Sequence, residues 1–263
     1  LLLNFNCFLP ISKFLYTNVP LSFWEYNDIV ALYLSKTIAL MKIRFACLLL
    51  VLFLWNCEKD DRLTFEPVDF ITENCNSCPK VTIHIPRALD DKPISNIINS
   101  SVQEEVISLL IYDDEIEATN IEEAIQSFKN GYLELKKMYP DEPVGWEADI
   151  EGKVTYEDKN ILTIQVSSYS FTGGAHGFSS TRFLNFDKAK ALELETLELF
   201  NDPLEFQSFA EGKFRDQEKI PANGSINATG FMFEDDEFYL PENIGFTQEG
   251  LQLFYEQYEV ASY

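Results

Sequence analysis

The strongest constraint on this chain is the stretch Tyr169-Ser-Phe-Thr-Gly-Gly-Ala-His-Gly177. Before it, Ile161 to Ser168 alternates Leu162, Ile164 and Val166 with Thr163, Gln165 and Ser167, the period of a half-buried strand. After it, Phe178 to Phe186 is a second extended run. Gly173, Gly174 and Gly177 between two strands require a sharp turn or a close approach of the backbone. His176, one of 2 histidines in the chain, sits inside that turn. Two readings are open: a structural corner holding a hydrogen-bonded histidine, or an exposed imidazole and bare amides forming part of a binding surface. The candidate binding residues are Tyr169, Thr172, Gly173, Gly174, His176 and Gly177.

The pattern on either side defines the fold class. Val81 to Pro86 alternates as a strand that Pro86 should end, with His84 at a polar surface or edge position. Pro93 suits the first turn of a helix, and Ile94, Ile97, Ile98, Val102 and Val106 keep helical spacing to about Ile111. Asn120-Ile-Glu-Glu123 resembles a capping box and opens a second helix, which Pro140 stops. Its stripe of Ile121, Ala124, Ile125, Phe128, Tyr132 and Leu135 reads as core rather than as a cofactor box. Trp146, Ala148, Ile150, Val154 and Tyr156 keep period two, as in a long or bulged strand, and Glu157 to Asn160 turns into the next. Asp202 and Pro203 begin a third helix with Phe206, Phe209, Ala210 and Phe214 on its apolar face. Phe238 to Pro241, Ile244 to Phe246 and Leu251 to Val260 read as closing strands, the last apolar on both faces. The expected fold class is α+β, an antiparallel sheet with helices packed on it.

The start of the chain reads as an export signal. Lys42 and Arg44 precede an apolar run from Phe45 to Trp55, too short to span a bilayer as a mature helix, so 41–56 is expected to be a lipoprotein signal peptide. Residues 1–40 hold no interpretable element, and Met41 is the expected start; a genuine N-terminal extension is the other reading. Cys57 ends the apolar run and is read as a lipidated cysteine, although Asn56 stands where a small residue is usual. Such an anchor binds stably. Glu58-Lys-Asp-Asp61 resembles an acidic tag for the outer cell surface. The expected location is the cell envelope, on the periplasmic or surface-exposed face of the outer membrane. Residues 57–79 are polar, contain Pro67 and Pro79, and read as a tether. Within it, Cys75 and Cys78 read as a local disulfide rather than a metal or thiol-exchange site.

Thr172-Gly-Gly-Ala-His-Gly177, with the strand before it and Leu192-Glu-Leu-Glu-Thr-Leu-Glu-Leu-Phe200 after it, resembles the RsiV-like family from about Lys80 onward. That family includes the extracellular module of the lysozyme-sensing anti-sigma factor RsiV, the N-terminal region of the peptidoglycan deacetylase PdaC, and many lipoproteins. The resemblance implies one such module, with an N-terminal half at 80–177 and a C-terminal half at 178–263. Because RsiV-like modules usually continue with another glycine and a final strand, it also implies that the C-terminal half is cut short. Two ligands are implied: a lysozyme-type cationic muramidase, or cell-wall glycan.

Charge agrees with the first of these. The formal net charge is −23, and removing residues 1–56 makes the remainder more acidic still. Such a field repels nucleic acid and anionic lipid and attracts cationic partners, so membrane contact is expected through the lipid anchor alone. No glycine-rich phosphate loop, His-Glu-x-x-His motif or Gly-x-Ser-x-Gly elbow occurs, and no cofactor or metal is expected. Asp113/Asp114 and Asp235/Asp236 read as solvated loops rather than an acid/base pair. The expected function is a non-enzymatic binding module. The competing class is an envelope hydrolase centred on His176, with Ser170, Ser179 and Ser180 near it in sequence.

Overall fold

The computed structural model describes residues 61–72, 78–112, 118–140 and 145–262. Residues 1–40, the signal segment, Cys57, Cys75 and the Asp113/Asp114 pair lie outside the described residues. Cys78 is disulfide-bonded. Six strands form one sheet in chain order: β1 (Phe65–Ile71), β2 (Lys80–Ala88), β3 (Glu147–Glu157), β4 (Ile161–Phe171), β5 (Phe178–Asp187) and β6 (Leu192–Leu194). Helices α1 (Pro93–Leu110) and α2 (Ile121–Met138) lie between β2 and β3, and α3 (Pro203–Glu218) follows β6. A separate hairpin pairs β7 (Asn243–Thr247) with β8 (Gly250–Phe254). The class is α+β, and no described helix is long and apolar enough to cross a membrane.

Two expectations about the sheet are corrected. It is mixed, because β2 and β3 run parallel, with Val81 opposite Ala148 and Ile83 opposite Ile150. The two-helix connection between them is the physical reason: a crossover of that length returns the chain in the same direction, whereas β3, β4, β5 and β6 follow one another through short turns. The tether reading of 57–79 is corrected as well, since Phe65–Ile71 within it pairs with β2 as an edge strand. Pro86 does not end β2 and stands opposite Pro67. Two residues without an N–H can face each other where the opposed pair exchanges no hydrogen bond.

Helix ends follow their caps. Asn120 Oδ1 accepts from Glu123 N at 2.9 Å. The Glu123 carboxylate reaches back to Thr119 N at 2.7 Å rather than to Asn120 N, so the box is offset by one residue. These bonds hold the Glu123 carboxyl below its ordinary range, Thr119 contributing most. Asp202 caps α3 by accepting from Leu204 N and Glu205 N. A bulge in β3 between Val154 and Tyr156 is the irregularity its sequence suggested.

The two faces of β4 and β5 bury different chemistry. Leu162, Ile164, Val166, Leu184 and Phe186 project with Val81, Ile83 and Ile150 onto α1 and α2, where Ile98, Val102, Val106, Ala124 and Phe128 meet them. The other face is mostly polar in sequence and yet buried, with Phe183 its apolar member under Gly245. Thr163 Oγ1 donates to Asn185 Oδ1 at 2.8 Å, and Asn185 Nδ2 donates to Ile244 O at 2.8 Å. Thr155 Oγ1 donates to Phe246 O at 2.7 Å, so β7 is bonded down onto the sheet. Beneath the hairpin lies a second cluster, in which Phe233, Phe238, Ile226 and Val260 pack with Phe214, Tyr239 and Tyr255.

The closing segment differs from its expected strands. Phe238 to Pro241 has no strand, and β8 ends at Phe254. Residues beyond it turn instead, with Glu256 N donating to Glu259 Oε2 at 2.7 Å. A buried staple ties the start of β1 to the turns beside it. Lys188 Nζ donates to Glu157 Oε1, Asp158 O and Asp61 O at 2.7, 2.7 and 2.9 Å, and Glu157 Oε1 also accepts from Leu63 N.

Candidate functional site

The β4–β5 hairpin holds its strands in register up to Ser170 opposite Phe178, which leaves the glycine-rich loop at its tip. Gly173 and Gly174 take φ of 110° and 91°, a region that L side chains avoid. Space around Gly174 is open, so its requirement is conformational; a tight steric corner is not what selects glycine there. Gly177 is the crowded position, because a Cβ there would stand 2.5 Å from the ring of Tyr169. Tyr169 therefore lies across the Gly177 backbone.

The six candidate residues divide between two recesses. Thr172, Gly173 and Gly174 face α2, lining a recess of about 140 Å³ with Tyr132, Leu135, Lys136 and Tyr139. Tyr169, His176 and Gly177 face the other way, into an open cleft of about 530 Å³. Its remaining lining is Ser179, Phe254, Tyr255 and Gln257. The loop alone does not make the site.

His176 is exposed and held on both sides. Its Nδ1 lies 3.2 Å from Gly177 O, and its Nε2 lies 3.3 Å from the Tyr258 hydroxyl. A carbonyl oxygen only accepts, so in the neutral ring Nδ1–H donates to it and Nε2 accepts from Tyr258. Ser180 Oγ is paired with Ser168 Oγ at 2.8 Å across the sheet. Ser179 lines the cleft and fixes its far wall, its N donating to Gln257 Oε1 at 3.4 Å.

Tyr258 is the contributor that sequence reasoning missed. It has φ of 72°, an outlying conformation for a bulky aromatic residue. The Glu256–Glu259 turn holds it there. Tyr169 is 41% exposed and Phe254 37% exposed, so the cleft offers aromatic surface to solvent, with Tyr258 beside it on His176. Nothing periodic marks Phe254 to Tyr258 as a site; apolar residues on both faces made them read as strand.

The titration behaviour near this wall has structural causes. Burial pushes the Glu256 carboxyl up, against the Thr181 amide and Asn243, whose Nδ2 donates to Glu256 Oε1 at 3.0 Å. Burial also raises Glu105 on α1, which Arg182 partly offsets at 3.7 Å and Glu193 and Glu256 reinforce. Tyr255 is pushed above the ordinary tyrosine range by burial and by Glu259, and its hydroxyl donates to Tyr239 O at 2.6 Å. Asp235 and Asp236 do not form an acid/base pair. Asp236 Oδ1 accepts from Ser225 Oγ at 2.6 Å and from Asn227 N at 3.2 Å, organising a loop. Among the described residues no group of three or more His, Cys, Asp or Glu is placed to hold a metal ion.

This is a sheet-and-helix module with an open aromatic cleft at a hairpin tip, and the fold recurs in solved structures. A DUF3298-family member from Bacteroides fragilis superposes with a TM-score of 0.60 at 18% identity, covering 76% of this chain and 86% of that one. A DUF3298-family protein from Pseudomonas aeruginosa gives 0.55 at 20% identity, covering 78% and 87%. Residues 72–179 match the family model described as Deacetylase PdaC, a span that runs from the end of β1 into β5. That segment is similar to PdaC, and it includes the Thr172 to Gly177 stretch that carries the resemblance. No curated protein matches the chain significantly.

Proposed function

We propose that this protein is a cell-envelope lipoprotein, anchored through Cys57, that acts as a non-enzymatic binding module for cell-wall glycan. The observation that supports it is the cleft of Tyr169, His176, Ser179, Phe254, Tyr255 and Gln257. Aromatic side chains present an apolar face to a sugar ring while carrying a polar handle, and convergent neutral polar groups suit its hydroxyls. The imidazole has a partner on each nitrogen, which favours a held recognition group over a base poised to take a proton. From the PdaC likeness the proposal takes the envelope setting and not the deacetylase activity.

A second ligand class is a cationic muramidase of lysozyme type, favoured by the net charge of −23. Retention on insoluble peptidoglycan and on immobilised lysozyme, each at low and high salt, separates the two. Glycan binding through the cleft survives high salt and falls in Tyr258→Ala and His176→Ala. Lysozyme binding through the acidic field is lost as salt screens it. Release of wall fragments by the wild type, abolished in a folded His176→Ala variant, would establish the hydrolase reading instead. The anchor has its own test: labelled palmitate is incorporated by the wild type and not by Cys57→Ala.

A further inference from the structure

We propose that the groove between α3 and the outer edge of β8 is a strand-addition site for an extended peptide, with apolar residues at alternate positions and a carboxylate that reaches Lys213. The hairpin β7–β8 is a two-stranded sheet, and among the described residues β8 has no strand on its other side. Leu251, Gln252, Leu253, Phe254 and Tyr255 all line one groove of about 590 Å³. A groove touching four successive residues of β8, and Tyr255 just beyond it, follows the backbone rather than one face. The opposite wall is α3, which contributes Phe206, Phe209 and Phe214.

An open strand edge presents backbone donors and acceptors in a row, and a neighbouring apolar wall offers places for alternate side chains. A hydrocarbon chain would fill the apolar wall and leave those backbone groups without partners, whereas a peptide strand satisfies both. The solvent-facing aromatic on α3 has no other assignment: Phe209 is 59% exposed.

Charge fixes the remaining feature of the occupant. Among the described residues Lys213 is the only charged one lining the groove. Its Nζ sits over the Phe209 ring at 5.5 Å, and among the described residues it makes no ion pair. Arg215, on the same helix, is already held by Glu211, Pro221 O and Gly224 O. Among the described residues this cation has the Phe209 ring and no carboxylate, so it is placed to pair with one on the occupant, a local contact made against the overall net charge of −23.

The test uses the full chain and a synthetic octapeptide of alternating leucine and serine with a free C-terminal carboxylate. Calorimetric titration should show binding, and hydrogen exchange should slow at alternate amides within Leu251 to Tyr255. N-methylating the peptide along one edge should abolish binding, and Lys213→Glu should weaken it about tenfold. Phe209→Asp should remove it without lowering the melting temperature, because that ring already faces solvent. Equal binding by the N-methylated peptide would overturn strand addition. So would laurate occupying the groove in place of the peptide with no amide protection. Concentration-dependent dimerisation that protects the same amides without peptide would replace the proposed partner by a second copy.

Discussion

The aliphatic cluster under α1 and α2 and the aromatic cluster under the β7–β8 hairpin meet the same sheet in different ways. In the first, Ile83, Ile150, Ile164 and Val166 project straight from the strands into the helices, so sheet and helices share one continuous apolar core. In the second, Phe214, Phe233, Phe238 and Tyr255 pack on one another, while Thr155, Thr163 and Asn185 join β7 to the strands. Each hydrogen bond in such a seam contributes only about 1 kcal/mol net. Phe183 under Gly245 and Tyr156 against Phe246 are the apolar contacts of this seam, and the C-terminal region is a lobe expected to open at lower free energy than the whole. The cleft lies where the sheet and the lobe meet: Tyr169, His176 and Ser179 come from the β4–β5 hairpin, Phe254, Tyr255 and Gln257 from the lobe.

The largest expected effects test whether the two clusters are separable. Ile164→Ala, at a fully buried position, should destabilise the whole fold by about 2–5 kcal/mol. Phe233→Ala should cost about 3–5 kcal/mol, but confined to the lobe. Native-state hydrogen exchange checks this: amides of α3, β7 and β8 should exchange faster in Phe233→Ala while those of β2 to β4 keep their protection. Equal acceleration everywhere would make the two clusters one cooperative unit.

A smaller effect is expected at the seam itself. Asn185→Leu removes the bonds to Thr163 and Ile244 and leaves a buried hydroxyl and carbonyl unpaired, a loss of about 1–3 kcal/mol. The exchange of β7 amides should report it, with glycan retention falling alongside because the lobe wall of the cleft shifts.

How much of this was legible follows from the same seam. The β4 and β5 strands could be read because Leu162, Ile164 and Val166 alternate, and α2 because Asn120 and Glu123 announce its start. The burial of Thr163 and Asn185 could not be read, since a polar residue at an alternate position looks the same bonded to water or to another strand. Strand β1 was hidden by Pro67 and by Glu66 and Asp69, which give its residues the look of a linker. The hairpin half of the cleft was visible in its glycines. The lobe half was not, because a turn that swings Tyr258 onto His176 leaves no periodic trace.

The smallest effect is a pH dependence between the two regions. Burial raises Glu105, with Arg182 opposing and Glu193 and Glu256 adding to it. A carboxyl with a folded pKa above its unfolded value contributes stability that is present below the unfolded value and lost as pH rises through the folded one. Glu105→Gln should therefore gain on the wild type as pH rises from about 4, the ordinary glutamate value, through the raised folded value, by about 2 °C in melting temperature. A constant difference across that range would mean that Glu105 titrates as a solvated carboxyl.

The two histidines make the cleft directly testable. His84 sits on β2 with Nδ1 2.8 Å from Asp69 Oδ1, while His176 is at the hairpin tip against Tyr258. Imidazole nitrogen spectra recorded during titration with a soluble muropeptide report both sites in one sample. Glycan binding in the cleft should shift the His176 signals saturably and leave those of His84 in place. Saturable binding that leaves His176 unmoved would place the ligand elsewhere and contradict the account.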